Sequence, residues 1–320
     1  MIGTAVCPIV LSSYHPIVPL SLSVWSSAKY TFPLPEGHRF PVAKYALLRD
    51  RVIVDGIVRA EHVFDPDAAT DDDLLLAHTA EYVHRFNDGL LDAAEIRRLG
   101  FPWSADLVER SRRAVGGTLA SSRHALRHGV AMNLAGGTHH AFADHGEGFC
   151  VYNDVAIAIR SLRSADLIRR AAVVDLDVHQ GNGTHAILGA DPDVYTFSMH
   201  GGKNYPFHKV AGTLDIELAD RTGDDVYLAA LTSALPRVHA DAAPDIVFYI
   251  AGADPHEGDA LGRLALTFDG LMERDRYVLS QSREVGIPVA VVIGGGYGRN
   301  IEDTVQIHVN TARVAASFAD

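Results

Sequence analysis

The sequence predicts a single α/β domain in three layers, a mainly parallel sheet with helices on both faces. Three observations lead there. Short, strongly apolar stretches alternate with longer helical patterns along the chain. No low-complexity linker divides it. The 320 residues, 48% of them hydrophobic, suffice for one large core.

Strands are expected near 22–26, 130–134, 171–177, 193–198, 246–251 and 288–293, each rich in Val, Ile, Ala or aromatic side chains. Continuous apolar character, as in Ala171-Ala172-Val173-Val174, suits parallel strands covered on both faces. Helical patterns fill the intervals at 71–87, opened by Asp71-Asp72-Asp73, and at 104–127, 152–168, 224–239 and 268–286. Residues 1–22 are apolar and Ser/Pro-rich, with prolines at 8, 16 and 19 and no preceding basic region. They read as a flexible N-terminal extension, not as a signal peptide or membrane span, which leaves 23–320 as the folded unit.

A net charge of −12 argues against nucleic-acid or anionic-membrane binding, which requires basic surface; a cationic peptide would be tolerated. Cys7 and Cys150 are the only cysteines, so no disulfide framework or Cys-rich zinc module is available. Any metal must be held by His, Asp or Glu. A reducing cytoplasm is the expected compartment.

In open parallel sheets, ligands bind beyond the carboxyl ends of strands. The unusual polar residues fall there. Strand 130–134 leads into Gly136-Gly137-Thr138-His139-His140, and strand 171–177 into Asp175-Leu176-Asp177-Val178-His179-Gln180-Gly181-Asn182. Strand 246–251 leads into Gly252-Ala253-Asp254-Pro255-His256-Glu257-Gly258-Asp259, and strand 288–293 into Gly294-Gly295-Gly296-Tyr297. On an ideal strand Asp175, Asp177 and His179 share a face. Burying them together is costly unless a cation lies between them, although a structural ion pair would also satisfy the pattern. The triple glycine could cradle phosphate, but no P-loop lysine or dinucleotide pattern accompanies it.

The segments GGTHHAFADHGEGFCVYND, DLDVHQGNGT, AGADPHEGD and GGGY, in this order and spacing, resemble the zinc-dependent histone deacetylase superfamily. That superfamily includes acetoin-utilisation and acetylpolyamine deacetylases. The resemblance extends from about Trp25 to the C-terminus, so 23–320 would be the catalytic domain, with an arginase/deacetylase-like fold. HQGNG, together with LPEGHRFP at 34–41, is similar to the class IV-like bacterial branch.

The resemblance implies a catalytic Zn²⁺, with Fe²⁺ as an alternative, held by Asp177, His179 and Asp254. By spacing alone Asp254 could equally cap a loop. His140 would be the general base that deprotonates the attacking water and later reprotonates the amine, with His139 supplying electrostatic stabilisation. Asp175 would orient His139. Asn182 stands where many members carry a second carboxylate, and an amide supports a cationic ring less well. Tyr297 would donate to the developing oxyanion.

Phe149, Gly148, Tyr205 and Leu261 are matched to the walls and rim of a narrow substrate tunnel, although aromatics by default pack in cores. Arg39 resembles an internal-channel arginine associated with acetate egress, or pairs with a surface carboxylate. Main-chain oxygens around Asp175, Asp177 and His179, with Ser198 and Met199, fall where relatives hold K⁺. The implied reaction is hydrolysis of an N-acyl-lysine on a protein or peptide. A small acylated amine such as an acetylpolyamine, a binuclear manganese ureohydrolase of the arginase type, and a non-catalytic acyl-binding module are the alternatives.

Overall fold

Eight strands pair in parallel into one sheet: β1 (Val24–Trp25), β2 (Val63–Phe64), β3 (Val130–Asn133), β4 (Ala171–Asp175), β5 (Val194–Gly201), β6 (Leu214–Leu218), β7 (Ile246–Ile250) and β8 (Val289–Val292). Their order across the sheet is β2-β1-β3-β8-β7-β4-β5-β6, and every pairing is parallel. This is a computed structural model, and it describes residues 22–319. The extension expected at 1–22 therefore lies outside the described residues, apart from Leu22, which is fully buried. Among the described residues no helix is long and apolar enough to cross a membrane.

The helices are α1 (Lys44–Val54), α2 (Asp71–Leu75), α3 (Ala80–Asn87), α4 (Ala93–Leu99), α5 (Ala105–His128), α6 (Asp154–Ser164), α7 (Asn182–Leu188), α8 (Asp224–Ala242), α9 (Phe268–Glu284) and α10 (Ile301–Ala316). One layer is the row α8, α9, α10 and α1, and α5 to α7 form the other. The three-layer arrangement and the six expected strands are present. The expected helix 71–87 is two helices, because Thr79 caps α3 through the Tyr82 N–H at 3.3 Å and sends its own N–H to the Ala143 carbonyl. The expected helix 152–168 starts only at Asp154, capped by Asn153, and stops at Ser164.

Sheet order explains why four distant segments meet. β3, β8, β7 and β4 are consecutive neighbours, and their register aligns Asn133, Val292, Ile250 and Asp175 in one row. The glycine- and carboxylate-rich segments leave the sheet just beyond that row. β4 ends at Asp175, so Asp177 and His179 lie in a bend and not on a continuing strand. The shared strand face expected for Asp175, Asp177 and His179 is thereby corrected: Asp175 ends the strand and pairs with His139 at 2.7 Å, while Asp177 and His179 belong to the bend.

From α9, the fully buried Arg274 reaches under this edge. Its Nη1 donates to the Gly252 carbonyl at 2.7 Å and the Leu176 carbonyl at 3.3 Å, and its Nε donates to Asp275 at 2.9 Å. Asp275 also accepts from the hydroxyls of Tyr249 and Thr311. The cation thus ties the segments after β4 and β7 together from below. Arg274→Ala should cost about 3–5 kcal/mol of stability in urea unfolding, because it strands Asp275 without its partner; a loss below about 1 kcal/mol would show that the clamp is dispensable.

Candidate active site

Asp177, His179 and Asp254 converge with their ligand atoms within 4.8 Å of one another, all buried. Backbone amides hold the two carboxylates in place. His179 N–H donates to Asp177 Oδ1 at 2.9 Å, Gly295 N–H to Asp177 Oδ2 at 2.6 Å, and Val178 N–H to Asp254 Oδ1 at 2.9 Å. Gly295 must be glycine, since a Cβ there would lie 2.1 Å from Asp254 Oδ2. His179 Nδ1 lies 2.9 Å from Asp177 Oδ1 and 3.2 Å from Asp254 Oδ2. The second contact is misaligned for a hydrogen bond, so Asp254 Oδ2 is buried without a donor.

Electrostatics repeat the message. Burial, then the Asp177 charge, pushes Asp254 up to about 7. Burial alone would lower His179, but its hydrogen bond to Asp177 and the nearby Asp254 lift it to about 10. The His179 imidazole thus partly offsets the two carboxylates. A divalent cation offsets them more fully and gives Asp254 Oδ2 a partner, so the donor set of two carboxylates and one imidazole fits a mononuclear metal.

The tandem histidines sit beside this cluster with ring centroids 4.2 Å apart, yet they are tuned in opposite directions. His139 Nδ1 lies 2.7 Å from Asp175 Oδ2. Burial opposes its protonation, but the carboxylates of Asp175 and then Asp177 raise it to about 9. His140 Nδ1 faces Asn182 Oδ1 at 2.7 Å, while Asn182 Nδ2 donates to Glu147 Oε1 at 2.6 Å. A carboxylate only accepts, so Glu147 fixes the amide's orientation and makes Asn182 Oδ1 an acceptor. The His140 proton must then be on Nδ1, leaving Nε2 as a free base. Burial, followed by the charges of His139 and His179, holds His140 well below the usual imidazole range.

His139 is placed by what precedes it. Buried Asp154 accepts the amides of Gly137 at 3.0 Å and Thr138 at 2.8 Å, together with the hydroxyl of Thr118. A carboxylate at the start of α6 therefore shapes the turn that delivers both histidines.

Tyr297 approaches from the opposite side, its ring 6.3 Å from that of His179. Burial and the Asp177 and Asp254 charges push its hydroxyl well above the ordinary phenol range, which keeps it a proton donor. Asp259 Oδ2 accepts the Tyr297 amide at 2.6 Å, and Asp259 Oδ1 accepts those of Leu261 and Gly262 at 2.8 Å. Behind the ring lies Lys44, 1% exposed, its Nζ 5.6 Å from the Tyr297 centroid and 3.4 Å from the Gly296 carbonyl.

A cavity of about 580 Å³ opens above, lined by His140, His179, Tyr297, Gly148, Phe149, Tyr205 and Leu261 among others. Phe149 has φ +66°, a strained setting for an aromatic residue. It is held there by hydrogen bonds that the Gly148 N–H donates to the Arg98 carbonyl (3.2 Å) and the Phe149 N–H to the Leu99 carbonyl (2.8 Å), and by rings of Phe40, Phe101 and Tyr297. Gly148, at φ +57°, leaves no room for a Cβ, which would meet His140 Cδ2 at 2.7 Å. Tyr205 stands edge-on to His140 at 5.0 Å between centroids.

The structure brings together Asp177, His179, Asp254, His139, His140, Asp175, Asn182 and Tyr297, with Gly148, Phe149, Tyr205 and Leu261 lining the cavity above them. Arg39 is different: it is exposed at the outer mouth and does not reach an internal channel. The buried arginine beside the inner pocket is Arg110, which donates to the Tyr45 hydroxyl at 2.7 Å. The parallel register sets Asp175 beside Ser198, the expected neighbourhood of K⁺. Lys44, Arg110, Glu147, Asp154 and Asp259 escaped sequence reasoning. Of these, Glu147, Asp154 and Asp259 carried a signal, since the first two lie in the GGTHHAFADHGEGFCVYND segment and the third closes AGADPHEGD; Lys44 and Arg110 sit on helices with no distinguishing pattern.

Comparison with known proteins places this geometry. Residues 38–312 match the histone deacetylase domain. An uncharacterized protein of Picosynechococcus sp. is 47% identical over 89% of this chain and 95% of its own length. Histone deacetylase 2 of Arabidopsis thaliana is 32% identical over 90% of this chain and 79% of its own. Among solved structures, an HDAC homolog from Aquifex aeolicus superimposes with a TM-score of 0.81 at 23% identity, over 93% of this chain and 84% of that one. With the domain match covering most of the chain, this protein belongs to the histone deacetylase family.

Proposed function

We propose that the protein hydrolyses the amide bond of an N-acyl-lysine side chain, releasing a carboxylate and the free amine. One observation carries this reading: His179 of the buried Asp177-His179-Asp254 cluster, His140 and Tyr297 line a single cavity in a chain of the histone deacetylase family. A divalent cation, zinc or ferrous iron, would be held by Asp177, His179 and Asp254 and, when bound, supplies Lewis acidity toward the carbonyl and the attacking water.

The protein's own residues do the rest. His140 is neutral at physiological pH and accepts the water proton at Nε2, then returns it to the departing amine. Asn182 keeps the opposite ring nitrogen protonated throughout. His139, charged against Asp175, provides positive potential beside the reacting centre. Tyr297 donates its hydroxyl proton in a hydrogen bond to the carbonyl oxygen as negative charge grows there. Phe149 and Tyr205 flank the lysine methylenes and exclude water. The same family reading would place K⁺ among the main-chain oxygens around Asp175, Asp177 and His179, with Ser198 and Met199.

Tyr297→Phe should lower kcat by about 10²–10³-fold and His140→Ala by about 10²–10⁴-fold on an acetyl-lysine peptide, with metal content unchanged. Near-wild-type turnover in either variant contradicts its assigned role. Activity at low pH is lost as His140 takes up a proton, and a carboxylate beside it raises its proton affinity. Asn182→Asp should therefore move the acidic limb of the pH profile upward by about one unit; a stationary limb sinks the idea. Zinc titration should saturate at one ion per chain and stabilise the protein by about 2.7 kcal/mol at a hundredfold excess over Kd, an effect absent in Asp254→Asn. Two tightly held ions per chain would favour a binuclear site instead.

A further inference from the structure

The mouth of the cavity is cationic, in a chain whose net charge is −12. Arg39, Arg97, Arg98, Lys203 and Arg263 line it, all exposed, and no Asp or Glu does. They come from four separate segments. Asp220 pairs with Arg263 at 2.6 Å and approaches Lys203 at 3.8 Å, which offsets one charge there. Arg39, Arg97 and Arg98 have no carboxylate within ion-pair distance among the described residues.

A basic residue in the last turn of α4 is ordinary, since the helix dipole favours it. The dipole does not account for Arg39, Lys203 and Arg263 converging on the same opening from three other loops. Nor is α4 a loosely attached neighbour: the carbonyls of Arg98 and Leu99 accept the amides of Gly148 and Phe149, so its two arginines are carried rigidly beside the tunnel wall.

We propose that this ring of cations selects acyl-lysines embedded in acidic polypeptide segments, with Asp or Glu side chains flanking the modified lysine and meeting Arg39, Arg97 and Arg98. The inference rests on the deacylase reading and narrows its substrate. An acyl-lysine is neutral and its product carries a positive charge, so the same mouth that attracts an acidic flank repels the freed ammonium. A polyamine, cationic along its length, is disfavoured on the same ground.

The test compares acetyl-lysine peptides whose flanks are Glu, Ser or Lys, together with acetylspermidine, using the metal-loaded full chain. Both kcat/KM and the affinity of dye-labelled peptides by fluorescence anisotropy are measured, at about 0.02 M and about 0.5 M salt, between which exposed charges become screened. The acidic peptide should exceed the Ser peptide by about tenfold at low salt and about twofold at high salt, with the Lys peptide and acetylspermidine weakest. In Arg97→Glu/Arg98→Glu the Glu-to-Ser ratio should fall to about one or invert. A wild-type ratio near one in binding and turnover, or a ratio that survives the double substitution, overturns the proposal. Absence of turnover on every substrate overturns the deacylase reading instead, while the anisotropy ratio still decides the mouth.

Discussion

Two carboxylates buried within reach of each other, Asp177 and Asp254, impose the constraint around which the rest of the structure is arranged. Carboxylates cannot remain charged in an apolar interior without compensation. The compensation is distributed: amides of Val178, His179 and Gly295 reach them directly, His179 adds an imidazole, and the Arg274 guanidinium grips the backbone just beneath. Because these donors come from the ends of β4 and β8 and from α9, while Asp254 itself follows β7, satisfying the charges also fixes how those elements meet. Folding and site assembly are therefore one process in this region.

The same economy separates the two histidines. They are adjacent in sequence and nearly in contact, yet one faces a carboxylate and the other an amide. The Asp175 carboxylate favours a proton on His139, while the neutral dipole of Asn182 leaves burial to dominate at His140. A carboxylate behind one ring and an amide behind the other thus move the proton affinities of a repeated residue in opposite directions. Glu147, one step further out, decides which end of the amide His140 meets.

Much of this was legible in the sequence, for physical reasons. β4, β7 and β8 are buried on both faces and so read as uninterrupted apolar runs, and the polar residues following them stand out. What escaped had weak or masked signals. β2 has two residues, and β6 is an edge strand whose Asp215 and Glu217 interrupt its apolar pattern. α7 begins at Asn182, inside the segment that chemistry had already claimed, and α10 buries His308 and Thr311 on a face that looks polar in sequence. Arg39 and Arg110 show the limit: sequence reveals that an arginine exists, but only packing reveals which one is inside. Lys44 was equally silent, since a buried lysine beside a tyrosine ring leaves no local pattern.

Phe149 shows how tightly form and use are joined. Its left-handed backbone is a conformation that glycine adopts at no cost and phenylalanine does not. Exchange for glycine would relax the main chain and in the same stroke delete a tunnel wall and the ring against which Tyr297, Phe40 and Phe101 rest. At this position backbone relaxation and the shape of the cavity wall cannot be changed separately. Any reshaping of the cavity at this point would then have to proceed through the residues around Phe149, because its backbone conformation and its ring contacts are tied together.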